Sequence, residues 1–303
     1  MQNTITDPFN KEQSRILLRK KEAAVHYPQL FMKMVAAWNS AGTEDCAWLL
    51  YSANYIFRTA GIRWAMDPLT MRWRVPETLA VDTRPAFDKL DFVLLTHCHA
   101  DHLDFDLLKD LQRLPIRWII PEFILPSVLA KATLPKNQIL VPVPLQPIEI
   151  NGIRILPFEG LHWEESPTGT EIPHGVPAMG YLVEFNGKRW LFPGDIRNYR
   201  SELLPSLGPV DGMFAHLWLG RGCALLDEPP LLDKFCRFCT DSQASRIVLT
   251  HLEEFGREAD DYWEARHARM VIAHLEQIAP QLPICAATMG ECVSLEKSGI
   301  RPV

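Results

Sequence analysis

A dense group of metal-binding side chains stands directly after a short apolar run of this sequence. Residues 96–104 read Thr-His-Cys-His-Ala-Asp-His-Leu-Asp and follow Phe-Val-Leu-Leu at residues 92–95. Four side chains that can bind a metal fall within six residues: His97, His99, Asp101 and His102. Alternate residues of an extended chain share a face, so His97 and His99 should lie together and Cys98 should face the core. Neutral imidazoles with a carboxylate suit a borderline cation such as zinc.

The alternative for this segment is a polar loop whose histidines have no shared role. The chain contains only 10 histidines among its 303 residues. Three of them in this arrangement, together with an aspartate, are difficult to explain as coincidence. Because the ligands come in pairs along the chain, the segment predicts two adjacent metal ions.

Composition excludes several classes of protein. Apolar residues make up 47% and charged residues 22% of the chain, which argues against disorder, collagen and coiled coil. The longest apolar runs are far shorter than the roughly 20 residues of a membrane helix. A net charge of −6 gives no general attraction to anionic polymers, so we expect no nucleic-acid partner. The start has no signal pattern and the seven cysteines are scattered, which predicts a cytoplasmic protein with reduced thiols.

The order of predicted elements indicates a layered α/β domain. Residues 1–45 read as one or two helices, a helical extension, and residues 46–303 read as strands with interspersed helices. Asn151-Gly152 and Asn186-Gly187 each separate two apolar runs, which is the signal of a two-residue hairpin turn. Residues 47–57 are predicted to form one arm of an earlier hairpin. Strands in both halves of 46–303 favour one domain over two separable ones.

Three more metal-binding side chains stand at the ends of predicted strands: His162, Asp195 and His251. Ligands at strand ends from distant parts of a chain can converge at one edge of a sheet. Considered alone, each histidine could equally be an ordinary core or surface residue. Asp195 alone would be better explained as a helix N-cap. When the three residues are considered together with the group at 97–102, a shared metal site explains them better than these alternatives do.

The His-x-His-x-Asp-His spacing after a buried strand resembles that of the metallo-β-lactamase superfamily. The following Leu103 and Asp104 make it similar to the branch containing ascorbate-phosphate lactonases and the phospholipase D that hydrolyses N-acyl-phosphatidylethanolamine. Four further segments occur in the family's order: Ala-Met-Asp-Pro at 65–68, Gly-Leu-His-Trp at 160–163, Phe-Pro-Gly-Asp at 192–195 and Leu-Thr-His at 249–251. The resemblance covers residues 46 to 295 and implies a four-layer αββα sandwich.

The resemblance also implies two bound divalent ions, each with its own ligands. The first ion would be held by His97, His99 and His162. The second would be held by Asp101, His102 and His251. Asp195 would bridge the two ions. Zinc is the expected metal, with manganese or iron as alternatives.

The same resemblance implies how such a site would act. A hydroxide between two cations is a nucleophile at neutral pH, because metal binding lowers the pKa of water from 15.7 to about 7. Asp101 and Asp195 would serve catalysis by holding the ions. Asp67 and Asp104 would accept N–H bonds from ligand imidazoles and so fix their tautomers. For Asp104 the alternative is an ordinary charge in the first turn of a helix.

Three further residues are weaker candidates for the site. His174 lies in the Pro- and Gly-rich stretch 166–177 and could act as proton donor or substrate contact, or be a solvated loop histidine. His216 and Arg221 follow the predicted strand at 212–215, in a region that borders the site in this family, and both are expected to contact the substrate. Arg221 stands between two glycines and could meet a substrate anion or lie in a surface turn.

These observations predict a metal-dependent hydrolase that cleaves an ester-like bond of a small-molecule or lipid-like substrate. A lactone, a carboxylic ester or a phosphodiester would each fit, and the main alternative is a phosphodiesterase acting on a lipid or nucleotide. A binding or regulatory protein that retains the metal site belongs to another class, and the complete ligand set argues against it. The extension at 1–45 could cap the site, pad the core or mediate homo-oligomerisation.

Overall fold

Two mixed β-sheets form the centre of the structure, a computed structural model that describes residues 7–165, 174–296 and 300–302. The strands of the first sheet are β1 (Cys46–Leu49), β2 (Tyr55–Thr59), β3 (Ile62–Met66), β4 (Phe92–Leu94), β5 (Arg117–Ile119), β6 (Ile139–Leu140), β14 (Glu291–Ser294) and β15 (Ile300–Pro302). Those of the second are β7 (Ile148–Ile150), β8 (Ile153–Glu159), β9 (Met179–Phe185), β10 (Lys188–Phe192), β11 (Gly212–His216), β12 (Ile247–Thr250) and β13 (Ile284–Ala286). Their orders are β15-β14-β1-β2-β3-β4-β5-β6 and β13-β12-β11-β10-β9-β8-β7.

Helices cover the outer face of each sheet. They are α1 (Pro8–Asn39), α2 (Met71–Arg74), α3 (Thr83–Ala86), α4 (Phe105–Leu111), α5 (Leu125–Lys131), α6 (Leu232–Asp241) and α7 (Ala265–Ile278). One apolar cluster joins α1, α4 and α5 to the first sheet, and a second joins α6 and α7 to the second sheet. A third, rich in aromatic rings, lies between the sheets. The predicted αββα sandwich is confirmed.

The N-terminal segment is one 32-residue helix, α1, which begins after the capping residue Asp7. Its buried side is an apolar stripe at helical spacing that includes Phe31 and Trp38. The Trp38 indole N–H donates to the Phe57 carbonyl oxygen of β2 at 2.7 Å. The helix therefore packs as part of the same core as the first sheet.

No helix in the described part of the chain combines the length and apolar character that crossing a bilayer would require.

The two Asn-Gly pairs form the predicted hairpin turns. Asn151 and Gly152 join β7 to β8 with φ of 51° and 83°, and Asn186 and Gly187 join β9 to β10 with φ of 49° and 72°. Two successive positive φ angles are the mark of a type I′ turn. The single strand predicted over 47–57 is wrong, because the chain turns between β1 and β2, where the Leu50 amide donates to the Asn54 carbonyl oxygen at 2.7 Å.

Parallel pairing of the strands brings their carboxyl ends together. In the first sheet β3, β4, β5 and β6 run parallel, and in the second β10, β11, β12 and β13 do. The carboxyl ends of parallel strands meet at one edge of a sheet. This topology brings the segments that follow β3, β4, β10 and β12 to a common edge of the sandwich.

Candidate metal centre

The predicted ligands come together at this edge from both sheets. His97, His99, His162 and Asp195 offer ligand atoms that lie within 4.8 Å of one another, and so do Asp101, His102 and His251. All except His99 are buried. Asp67 and His251 have positive φ, 43° and 63°. Such backbone is uncommon outside glycine and is concentrated at functional sites.

The first ligand set consists of three imidazole nitrogens that face one point. His99 Nδ1 lies 3.2 Å from His97 Nε2 and 3.0 Å from His162 Nε2. Nitrogens bound tetrahedrally to one zinc ion at 2.0–2.1 Å would lie about 3.3 Å apart. The spacing of these three nitrogens therefore fits a single ion.

The second set combines a carboxylate with two imidazoles. Asp101 Oδ2 lies 3.3 Å from His251 Nε2, and Asp195 Oδ1 lies 3.1 Å from His102 Nε2. His102 Nε2 is buried and has no well-formed hydrogen bond among the described residues. A buried nitrogen without a hydrogen bond costs free energy unless another group binds it. A cation bound among these oxygen and nitrogen atoms would be such a group.

Asp195 lies between the two sets. Its Oδ2 faces the first, at 3.7 Å from His162 Nε2 and 4.0 Å from His97 Nε2. Its Oδ1 faces the second, at 3.1 Å from His102 Nε2 and 3.7 Å from His251 Nε2. One carboxylate oxygen toward each set is the arrangement that a bridge between two ions requires.

Asp67 and Thr96 orient two of the imidazoles. Asp67 Oδ2 is 2.8 Å from His102 Nδ1, which is the contact expected of Asp67. It also accepts the Thr96 hydroxyl, and Thr96 Oγ1 is in turn 2.9 Å from His97 Nδ1. Because each Nδ1 donates in this chain of contacts, Nε2 of both His97 and His102 faces the centre. Burial alone would lower the pKa of His102, but the carboxylates of Asp195, Asp67 and Asp101 raise it well above its usual range, so a cation that binds there would displace the proton from Nε2.

Thr96 was not among the predicted site residues, and a substitution tests its role. We expect Thr96→Val to weaken metal binding roughly 10–100-fold, the usual effect of losing a partner that orients a ligand. Valine keeps the shape of threonine but cannot accept from His97 Nδ1 or donate to Asp67. Competition with a chromophoric chelator measures the change. Unaltered affinity would show that packing alone orients His97.

The structure corrects the expectations for Asp104 and Cys98. Asp104 caps α4, where its Oδ1 accepts the amides of Asp106 at 3.0 Å and Leu107 at 2.9 Å, and its Oδ2 accepts the Thr70 amide at 3.2 Å. The N-terminal amides of a helix need such an acceptor, so this carboxylate serves α4 instead of an imidazole. Cys98 is exposed and not a core residue, because this face of the loop turns to solvent.

His216 occupies a different place from the one expected. We predicted a substrate contact, but His216 ends β11 in a buried position with its Nδ1 2.8 Å from Asp195 Oδ1. Burial lowers the pKa of His216 to about 4, so its ring is neutral at pH 7. A neutral ring that donates from Nδ1 can hold Asp195 in orientation.

Burial also sets the protonation of the first ligand set. It lowers the pKa of His97 and His99 and brings that of His162 to about 3. Metal ligands must be deprotonated, so these rings are ready to bind a cation at neutral pH. Burial by itself would raise the pKa of Asp101 and of Asp195. The neighbouring histidines, together with one arginine beside each carboxylate, outweigh this effect and hold both pKa values well below the usual range.

Those two arginines were missed by the sequence interpretation. Arg197 Nη2 donates to Asp195 Oδ2 at 3.2 Å, and Arg257 Nη2 donates to Asp101 Oδ2 at 2.8 Å. The Arg197 guanidinium also lies over the Trp218 ring, 4.4 Å from its centroid. Each carboxylate among the predicted ligands is therefore matched by a buried or half-buried arginine.

A cavity of about 400 Å³ opens over the ligands. His99, Asp101 and His162 form part of its wall, and so do the predicted residues His174 and Arg221. Four arginines line it: Arg74, Arg197, Arg221 and Arg257. Arg221 is largely exposed and forms an ion pair with Glu164 at the rim. The residues 166–173 next to His174 lie outside the described part of the chain.

Solved structures share this fold at low sequence identity. Igni18, a metallo hydrolase from Ignicoccus hospitalis, is 17% identical with a TM-score of 0.59, over 83% of this chain and 98% of that one. CmlA, a diiron β-hydroxylase from Streptomyces venezuelae, is 16% identical with a TM-score of 0.55, over 84% of this chain and 55% of that one. Zn²⁺-bound PqqB from Methylobacterium extorquens is 13% identical with a TM-score of 0.53, over 80% and 86%.

No curated protein matches this sequence significantly. The sequence model of the β-lactamase superfamily domain does match, over residues 65–252. That range is more than half of the 303 residues and includes Asp67 and all seven predicted ligands. The chain therefore belongs to the metallo-β-lactamase superfamily of metal-dependent hydrolases.

Proposed function

We propose that this protein binds two divalent ions and hydrolyses an ester-like bond in a negatively charged substrate. The observation that carries the proposal is the placement of Asp195, with one oxygen toward each ligand set, beneath a cavity lined by arginines. Ions bound in these sets would supply a hydroxide nucleophile and polarise the oxygen of the bond to be cleaved. The protein's own residues then have to bind, orient and stabilise the substrate.

The charge balance of the site favours an anionic substrate. The predicted ligands include only two carboxylates, Asp101 and Asp195, and an arginine already pairs with each. Asp67, which contacts His102 from behind, adds one more negative charge. Much of the positive charge of two cations would then remain uncompensated in a mostly buried site. A phosphate or carboxylate group on the substrate would neutralise it.

Two residues of the cavity wall are suited to contact such a substrate. Arg221 at the rim is held by Glu164 in an exposed ion pair, and exposed pairs of this kind contribute little stability. An anionic group can therefore take the place of Glu164. His174 is the candidate proton donor or substrate contact, and it lies beside the same glutamate, since its carbonyl oxygen accepts the Glu164 amide at 2.6 Å.

Zinc is our first choice of metal. The donor set of five imidazoles and two carboxylates is rich in the ligand that zinc prefers, and imidazole also suits iron. PqqB in its Zn²⁺-bound form and the diiron enzyme CmlA have this fold, so iron stays an alternative, as does manganese.

Metal content gives the first test. Protein prepared with excess metal and then freed of loosely bound ions is expected to retain close to two equivalents per chain, because two ligand sets share Asp195. Inductively coupled plasma mass spectrometry measures this directly. One equivalent in protein with all ligands intact would contradict the two-ion site.

A hydrolysis screen tests the reaction. We expect turnover of bis(4-nitrophenyl) phosphate, or of a carboxylic ester or lactone that carries a negative charge, and weaker turnover of neutral esters with the same leaving group. Activity confined to phosphodiesters of lipids or nucleotides would favour the phosphodiesterase alternative. Two bound ions without turnover of any of these compounds would favour a binding or regulatory protein.

A further inference from the structure

The segment 251–264, which joins β12 to α7, supplies or orients much of the second ligand set. It begins with His251 and contains Arg257, whose Nη2 donates to Asp101 Oδ2 at 2.8 Å. Every residue of the segment is described, and its only regular structure is one 3₁₀ turn, Ala259–Asp261. Two ligands of the second set, His251 directly and Asp101 through Arg257, therefore depend on how this segment is held.

The start of the segment has a backbone that needs support. His251 and Glu253 have positive φ, 63° and 57°, which residues other than glycine adopt at a cost and retain only where their surroundings enforce it. The Glu253 amide donates to the Trp263 carbonyl oxygen at 2.7 Å, but this bond lies within the segment. The His251 amide donates to the Ser52 carbonyl oxygen at 3.0 Å. Further contacts from outside the segment have to fix the turn.

Two side chains of α1 provide polar contacts of this kind. The Ala259 amide donates to Gln13 Oε1 at 2.8 Å. Arg19 pairs with two carboxylates at once, since its Nη2 donates to Glu253 and its Nη1 donates to Glu264 at 2.6 Å. The Arg19 and Glu253 side chains are only 34% and 26% exposed, and partly buried pairs are screened less by salt than exposed ones. Arg19 thus ties the start of the segment to its end.

Apolar packing joins the same parts of the molecule. Ile16 of α1 is buried in one cluster with Phe255 and Tyr262 of the segment. The Phe255 amide donates to the hydroxyl of Tyr51, which follows β1, at 2.7 Å. The segment is therefore held by contacts with both α1 and the connection between β1 and β2.

We propose that α1 is a positioning element of the metal centre, and that Arg19 positions His251 through Glu253. The inference rests on the proposed function in one respect, since it takes the second ligand set to bind an ion. It goes further by giving the N-terminal helix a role in that set. The Arg19 contact stabilises the turn in the conformation in which His251 Nε2 lies 3.3 Å from Asp101 Oδ2. Without this contact the turn can relax, and an ion would have to restore it on binding.

Zinc affinity tests this role without reference to turnover. Competition with a chromophoric chelator measures both equivalents in Arg19→Gln, whose uncharged amide can no longer form the ion pair with Glu253. One equivalent should bind about threefold to tenfold more weakly, a smaller loss than for a residue that contacts a ligand itself, and the other should be unchanged. In His102→Ala, which lacks a ligand of the second set, the affinity of the remaining ion should not respond to Arg19→Gln.

Arg15→Gln is the matched control. Arg15 lies one turn before Arg19 on α1 and pairs with Glu12 and with Glu264 at 2.6 Å, but within the described part of the chain it forms no ion pair with Glu253. Its variant should bind both ions as the parent protein does. In metal-free protein, the amides of residues 251–255 should exchange hydrogen faster in Arg19→Gln than in Arg15→Gln.

Glu253→Gln removes the same contact from its other side. It should weaken the same equivalent of zinc by the same factor, and the double variant with Arg19→Gln should lose no more than either single variant, because both changes break one interaction. Arg19→Lys keeps the positive charge and should recover most of the affinity. These variants give the answer even if Arg19→Gln folds poorly.

Unchanged affinity for both ions in Arg19→Gln and Glu253→Gln overturns the inference. An equal loss in Arg15→Gln overturns it as well, since the effect would then come from Glu264, which caps α7. A parent protein that binds fewer than two ions contradicts the two-ion site and the inference together. Failure of the hydrolysis screen would overturn the proposed reaction alone, because none of these measurements depends on turnover.

Discussion

Replacing either His97 or His102 with alanine is expected to reduce hydrolysis by roughly a thousandfold or more. The loss should exceed the roughly 10–100-fold typical of partners that only orient a ligand, because we propose that each histidine binds an ion directly. His97 Nε2 belongs to the first set and His102 Nε2 to the second. Steady-state rates on the best substrate of the screen measure the effect.

Metal content shows whether each variant has lost one ion. Each should retain about one equivalent, since the substitution removes a ligand from one ion and leaves the other set intact. Cys98→Ser is the matched control, because Cys98 lies between His97 and His99 but is exposed to solvent. Its activity and metal content should stay close to those of the parent protein. A histidine variant that keeps two ions and most of its activity would show that the assignment of ligands is wrong.

The sequence could predict which side chains converge at the candidate metal centre, because each of them belongs to a local pattern. His97 to His102 follow one buried strand, and His162, Asp195 and His251 each follow another. In a layered fold, strand ends are the positions that converge. The Asn-Gly turns were predictable for the same reason, since two adjacent residues determine their conformation.

Residues that act through distant contacts could not be predicted in this way. Arg257 reaches Asp101 across 156 positions, and Arg197 is recognisable only once Trp218 is seen beneath it. Thr96 was visible in the motif, yet its role depends on Asp67, 29 positions away. The prediction for Asp104 failed for a different reason. It followed the family resemblance, whereas a purely local rule, the helix N-cap, explains this residue.

Asp195→Asn is expected to reduce turnover about a hundredfold or more while changing KM little. The substitution keeps the shape of the side chain and removes its charge. An asparagine offers one acceptor oxygen in place of two, so it can face only one of the two ligand sets that Asp195 now faces. Arg197 would lose the anion it pairs with, and the second ion would be bound more weakly. A loss confined to kcat would mean that Asp195 matters mainly in the transition state.

Asp104→Asn provides the matched control for this change. It makes the same chemical substitution at another buried aspartate, and asparagine caps a helix about as well as aspartate does. The Thr70 amide would lose its acceptor, Oδ2 of Asp104, which should lower stability and leave turnover unchanged. Since Asp104 serves α4, its variant should retain turnover within about threefold. An Asp195→Asn protein that kept both its ions and its turnover would exclude a bridging role. Within the part of the chain that the structure describes, the Asp104 carboxylate contacts none of the predicted ligands. Equal losses of turnover in both variants would therefore indicate that the effect of Asp195 is structural.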